Sequence, residues 1–163
     1  MLKKFRLIIC FCFVASIAGL LYVNLFNSLV DAPNWGRQFP ESILAARAYY
    51  QAANPGTFYR IFSPLNQILA LAVAALTFPL GKQLRILSIA ALLLAIMIDL
   101  LTFQYFYPRN EIIFQADITA SLEQIKQAWE QWSSMNWFRS LLCCLDLCLA
   151  ACIAVKVQIK SAL

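Results

Sequence analysis

The chain is 163 residues long, 62% hydrophobic, 13% aromatic and only 13% charged, with a formal net charge of +5 and a mean hydropathy of +0.70. Soluble domains carry about a quarter of their residues as charges, so a water-soluble domain is excluded. The sequence has no His, which removes His-ligated haem and zinc, the two-His-one-carboxylate iron site and every Ser-His or Cys-His catalytic pair.

Four apolar stretches follow in chain order. Arg6 and Asp31 enclose 24 residues without a charge, and Arg60 and Lys82 enclose 21. From Ile86 to Pro108 the only charge is Asp99, and from Trp137 to Val157 the charges are Arg139, Asp146 and Lys156. About 20 apolar residues cross a bilayer core, and backbone in lipid must bond within its own segment. The expected fold is an all-α integral membrane four-helix bundle, one domain over 1–163 with spans near 7–29, 62–81, 85–107 and 137–157. A signal peptide over 1–18 is the alternative for the first stretch, but the apolar residues Leu20, Leu21, Val23, Leu25 and Phe26 beyond it favour a retained span.

Lys and Arg at the span ends set the orientation. Lys3, Lys4, Arg6, Lys82, Arg85, Lys156 and Lys160 fall on one side with no acid beside them. The opposite side mixes Arg37, Arg47, Arg60, Arg109, Lys126 and Arg139 with Asp31, Glu41, Glu111, Asp117, Glu123 and Glu130. Both termini are therefore expected in the cytoplasm, with a bacterial inner membrane as the location. No nucleic-acid partner is expected, because the cations flank spans instead of forming one basic surface.

Short amphipathic helices are expected in both extracytoplasmic loops. Residues 41–53 lie between Pro40 and the breaker Asn54-Pro55-Gly56. In the second loop Ile118, Leu122, Ile125, Trp129 and Trp132 recur at helical spacing with Glu123, Lys126 and Glu130 on the other face. That helix would lie on the membrane surface, anchored by Trp129 and Trp132, or form a lid over the bundle mouth.

Ionisable groups inside a span are costly and usually face the bundle interior or a wet cavity. Asp99 and Asp146 both fall about 13 Å below the outer boundary at 1.5 Å per residue, so they are the candidate catalytic pair; protonated carboxyls bonded to neighbouring helices are the structural alternative. Asn24, Asn27, Asn66, Asn110, Asn136 and Arg139 gather in the outer halves of the spans. They are the candidate ligand-binding residues of a polar pocket opening outward. Arg139 leans away from Asp146, so snorkelling or anion binding is expected in place of an intrahelical salt bridge. All six Cys lie in spans, which excludes a disulfide framework. Cys144, Cys148 and Cys152 suggest a packing stripe. Gly-rich phosphate loops, CxxC pairs and HExxH are absent, so no metal and no cofactor is expected.

Three runs sit at span ends: Ala-Asn-Pro-Gly-Thr-Phe-Tyr-Arg-Ile-Phe (53–62), Phe106-Tyr107-Pro108-Arg109-Asn110, and Trp132 followed by Asn136-Trp137-Phe138-Arg139. In these the chain resembles the four-span membrane family of unknown function that contains the anthrone oxygenase-like proteins. Its Pro-x-Asn at the end of the third span is carried by Pro108 and Asn110, and its Asn-x-x-Arg at the start of the fourth by Asn136 and Arg139. Many members have His after that Asn, where this chain has Trp137. For the members named as enzymes, the resemblance implies oxidation of polycyclic phenolic anthrones by dioxygen without metal or flavin. Such chemistry needs a base and an anion-stabilising pocket. Asp99 or Asp146 would be the base, and Arg139, Asn110 and Asn136 would hold the oxyanion. The non-enzymatic alternative is a small bundle that binds a lipid or a partner membrane protein. The expected partners are thus the lipid bilayer, a small apolar or aromatic ligand and, under the alternative, another membrane protein.

Overall fold

Each apolar stretch is helical, as lipid demands; the end of the bundle with Lys3, Lys82 and Lys156 is termed the inner end and the opposite one the outer end. The computed structural model describes residues 1–162, and no strand occurs among the described residues. The helices are α1 (Leu2–Gly36), α2 (Glu41–Tyr49), α3 (Pro55–Leu80), α4 (Lys82–Gln115) and α5 (Leu122–Ala162). Four of them are long and apolar enough to cross a membrane: the chain is a multi-pass membrane protein with an all-α fold. At 1.5 Å per residue the 41 residues of α5 extend about 60 Å, twice a bilayer core of about 30 Å.

The long helices alternate in direction around a square. α1 packs against α3 and α5, and α4 packs against the same two. In the inner half small buried side chains, Ala70, Ala91, Ala95, Ala150 and Ala154 with Ser88, lie at the seams beside the larger Phe13, Leu84, Ile153 and Val157. Small residues let backbones approach closely where lipid is as apolar as leucine and no hydrophobic force drives helices together. Ile8, Phe11, Ile68, Leu71, Ile86, Leu93, Leu145 and Val155 face outward, as a lipid-facing surface requires. Cys144, Cys148 and Cys152 also face outward, so that stripe does not pack inside the chain; the buried cysteines are Cys10 and Cys143.

The protruding ends form a second core. Ala32, Trp35, Ile43, Phe106, Ile113, Ile125, Ala128 and Trp132 cluster there. Trp35 meets Phe114 and Trp132 with ring centroids 5.2 Å apart. The expected helix of the second outer loop is present, but no break separates it from the fourth span. It is the start of α5, and its tryptophans point inward instead of anchoring a surface helix. Trp132 is buried, and the Trp129 indole N–H donates to the Ala32 carbonyl at 2.9 Å. Gly36 is needed for this contact, because a Cβ there would sit 2.0 Å from the Trp129 ring.

Two π-helical turns, Asn27–Asp31 and Thr102–Phe106, interrupt α1 and α4. Each contains the residue four positions before a proline, Leu29 for Pro33 and Gln104 for Pro108. A helical proline lacks its N–H and collides with the carbonyl at i−4, and widening the turn relieves both without ending the helix. The sequence signal of a span end at Pro108 is thus a change of pitch, and α4 continues to Gln115.

α3 begins with a capping box across Asn54-Pro55-Gly56-Thr57. The Thr57 amide donates to Asn54 Oδ1 at 3.2 Å and the Asn54 amide to Thr57 Oγ1 at 3.3 Å, with Pro55 in the first turn where no N–H is needed. α2 is fastened by Arg47. Its Nε and Nη2 donate to the Ile113 carbonyl at 2.9 and 2.6 Å, and its Nη1 donates to the Ala116 carbonyl at 2.9 Å. These are carbonyls at the end of α4, which the helix cannot satisfy itself.

Candidate functional site at the outer end of the bundle

Between the two cores lies a polar layer built on Arg139. This side chain is 2% exposed, one turn after Asn136 on α5. Its Nη2 donates to Asn136 Oδ1 at 2.5 Å. The guanidinium is sandwiched between Phe106 and Tyr59, 3.8 and 4.5 Å from the two ring centroids. Its Nε has no hydrogen-bond partner among the described residues. The charged and titratable groups that act on it are Tyr59, Cys143 and Tyr107, and no carboxylate is among them. A buried cation without a counter-ion is costly; the two aromatic faces offset part of that cost.

The α1 side of the layer is closed by Asn24, Asn27 and Ser28. Asn136 Nδ2 donates to Ser28 Oγ at 2.6 Å and to the Asn24 carbonyl at 3.0 Å. Tyr59 Oη donates to Asn24 Oδ1 at 2.8 Å and accepts from Asn27 Nδ2 at 3.3 Å. Asn24 Nδ2 completes the chain by donating to Cys143 Sγ at 3.3 Å. The structure therefore brings four of the predicted residues, Asn24, Asn27, Asn136 and Arg139, into one hydrogen-bonded set. Tyr59 and Phe106 were not among the predicted site residues. Their only signal in the sequence is membership of the span-end runs, and their role appears when the helices place their rings against the guanidinium.

The other predicted residues stand outside that hydrogen-bonded set. Asn110 is half-buried and faces Gly56, the close approach of α3 and α4. Asn66 is seven residues beyond Tyr59 on α3, about 10 Å deeper, and its Oδ1 has no partner among the described residues. Asp99 sits within hydrogen-bonding reach of Ser63 and Gln67. Asp146 is 0% exposed, with neither oxygen bonded among the described residues. No carboxyl–carboxyl hydrogen bond joins Asp99 to Asp146, although both act on Cys143. Arg139 neither snorkels nor pairs with Asp146.

Three openings touch the layer. Next to Arg139 is a cavity of about 10 Å³, lined also by Tyr59, Thr102, Phe106, Asn110 and Trp132, large enough for a single oxygen atom or water. The indole N–H of Trp132, itself buried, is a second donor there without a partner among the described residues. Outside it, a vestibule of about 90 Å³ runs past Asn110, Gly56 and Tyr107 to Arg60 and Glu111. A groove of about 710 Å³, which shares Asn27 with the polar layer, lies between α1, α2 and the start of α3. Its walls include Phe26, Trp35, Tyr49, Tyr50 and Phe58, and its polar groups include Asn27 and Asp31. Asp31 and the Tyr50 hydroxyl are hydrogen-bonded. The Tyr50 phenol is pushed up to about 12, first by burial and then by the charge of Asp31. Tyr59 feels both Arg139 and Asp31, so the cationic and anionic groups of the site meet electrostatically at its ring.

A family model described as anthrone oxygenase matches residues 56–149. The chain belongs to the anthrone oxygenase family. The matched stretch carries Tyr59, Phe106, Asn110, Trp132, Asn136 and Arg139, the α3, α4 and α5 faces of the polar layer. The α1 face with Asn24, Asn27 and Asp31 lies outside it. No curated protein and no solved structure matches the chain.

Proposed function

We propose that this anthrone oxygenase family member binds a planar phenolic or enolic aromatic compound in the outer-end groove and oxidises it with dioxygen. The observation that carries the proposal is an aromatic-walled groove whose Asn27 donates to the Tyr59 hydroxyl, the ring of which covers Arg139, a buried guanidinium with no counter-anion. An anion formed in the groove is stabilised by the guanidinium across the Tyr59 ring. In the reaction a ring CH₂ loses a proton to a base, dioxygen adds at the carbanion to give a hydroperoxide, and loss of water leaves a carbonyl. Arg139, with Asn136 and Tyr59 holding it, stabilises the anion. Asn24 and Asn27 fix the Tyr59 hydroxyl, and Asn110 guards the vestibule. Asp99 and Asp146 line neither the groove nor the vestibule; the base is therefore proposed at Asp31, which lines the groove.

The test is oxygen uptake by the full-length protein in lipid nanodiscs with anthrone as substrate. Uptake by the wild type, its loss in Arg139→Met and Asp31→Asn, and its retention in Asp99→Asn and Asp146→Asn are expected. Absence of uptake overturns the oxidation, and loss in Asp99→Asn or Asp146→Asn with retention in Asp31→Asn moves the base to mid-membrane. A second function, binding of a lipid or apolar ligand without turnover, is favoured by Val23 and Phe26 at the lipid-facing rim of the groove; stoichiometric anthrone binding without oxygen consumption would select it.

We also infer that the chain is a single four-span domain with both termini in the cytoplasm, in a bacterial inner membrane. The support is positional: Lys3, Lys4, Arg6, Lys82, Arg85, Lys156 and Lys160 share one end of the bundle, free of acids. A reporter fused to either terminus is expected to stay on the cytoplasmic side.

A further inference from the structure

The inner end of the bundle has an opening of its own. A cavity of about 350 Å³ lies where the α3–α4 turn meets the last turns of α5. Leu80, Leu84 and Ile159 form apolar walls, while Lys82, Lys156 and Lys160 reach it from two helices, and no acid lines it. Gly81, at φ 118°, occupies backbone space that L side chains rarely adopt, so α3 reverses directly into α4 and sets Lys82 at its first position. Lys160 Nζ donates to the Leu80 carbonyl and draws the end of α5 onto the turn. Lys156 lies one helical turn earlier on the same face. The start of α4 has no side-chain cap, which adds uncapped amide donors to the same opening.

Cations that serve only to orient a membrane protein need not converge. Here three of them share one apolar-walled cavity, which fits an anionic head group whose acyl chains continue into the bilayer. We propose that this cavity binds the phosphodiester head group of an anionic phospholipid from the leaflet at the inner end of the bundle. Lys82 and Lys156 contact the phosphate, and Leu84 and Ile159 contact the first carbons of the chains. The site is independent of the outer-end groove and of whether the protein is an enzyme.

Native mass spectrometry of the full-length protein released from mixed phosphatidylcholine and phosphatidylglycerol nanodiscs tests this. The wild type is expected to retain phosphatidylglycerol selectively. Lys82→Gln with Lys156→Gln weakens retention about 25-fold, at about fivefold per lysine near a charged surface. Lys3→Gln with Lys4→Gln removes the same charge from the same end outside the cavity, and changes retention by no more than about twofold. Lys82→Arg with Lys156→Arg keeps the charge and retains the lipid, which separates lost charge from a damaged bundle. Equal losses in the two Gln pairs, or no preference for phosphatidylglycerol, overturn the site. So does inorganic phosphate matching the effect in pure phosphatidylcholine, which would identify a free-ion site.

Discussion

The inner half of the bundle and the outer cap are packed from different residues. In the inner half Ala70, Ala91, Ala95, Ala150 and Ala154 let the helices approach closely around Phe13, Leu84, Ile153 and Val157. At the outer end Trp35, Phe106, Ile113 and Trp132 are gathered as in a soluble core. Arg139 sits where the two meet, between one ring from α3 and one from α4. The guanidinium bridges the two cores: Tyr59 on one side of it belongs to the bundle core and Phe106 on the other to the cap.

The cap is expected to lose most stability when volume is removed, and the alanine seams when volume is added. Trp132→Ala empties the centre of the cap and is expected to cost about 3–5 kcal/mol, read as a lower thermal midpoint in detergent. Ala91→Leu forces the α4 seam apart and is expected to cost about 1–3 kcal/mol; a neutral result there would mean that the inner helices are not closely packed. Arg139→Met leaves Asn136 Oδ1 without its donor, at about 1–3 kcal/mol, but removes an uncompensated buried charge. The net change in thermal midpoint is expected to be small while anthrone binding, measured by fluorescence quenching, is lost. Tyr59→Phe deletes the hydroxyl that joins Asn24 to Asn27 and is expected to cost about 1 kcal/mol, with Arg139 still stacked.

The smallest expected effect is at alkaline pH and confined to the cap. The Tyr50 phenol is held up to about 12 in the folded protein, above its ordinary value of about 10. The unfolded chain therefore ionises first, so this stabilisation is complete below about pH 10 and fades as pH rises towards 12. Tyr50→Phe should flatten that part of the stability profile measured by thermal denaturation across pH.

Most of the membrane architecture was legible from charge spacing, since a bilayer leaves few alternatives to a helix. Four helices long and apolar enough to cross a membrane cover the uncharged stretches, and Asn24, Asn27, Asn136 and Arg139 did converge. The span boundaries were not legible at the outer end. Pro33 and Pro108 look like stops in a sequence, yet π turns let α1 and α4 pass through them. Trp129 and Trp132 carry the pattern of a surface anchor, and nothing local distinguishes lipid headgroups from a protein core as their neighbour. Asp99 and Asp146 stood out for their depth, which is a property of position along one helix. Whether a cavity lies beside them depends on the neighbouring helices.

The sequence by itself determined the helical fold, the membrane setting, the polar character of the outer halves and the absence of His chemistry, because each follows from composition and one-dimensional spacing. Tertiary structure decided that Arg139 has two aromatic rings and no carboxylate for company, that Asp31 lines the groove instead of marking a span end, and that the second loop helix is the top of α5. Those are matters of which side chain meets which across helices distant in the chain, as Tyr59, Phe106 and Arg139 show. The packing of whole helices fixes such meetings, and no local pattern encodes them.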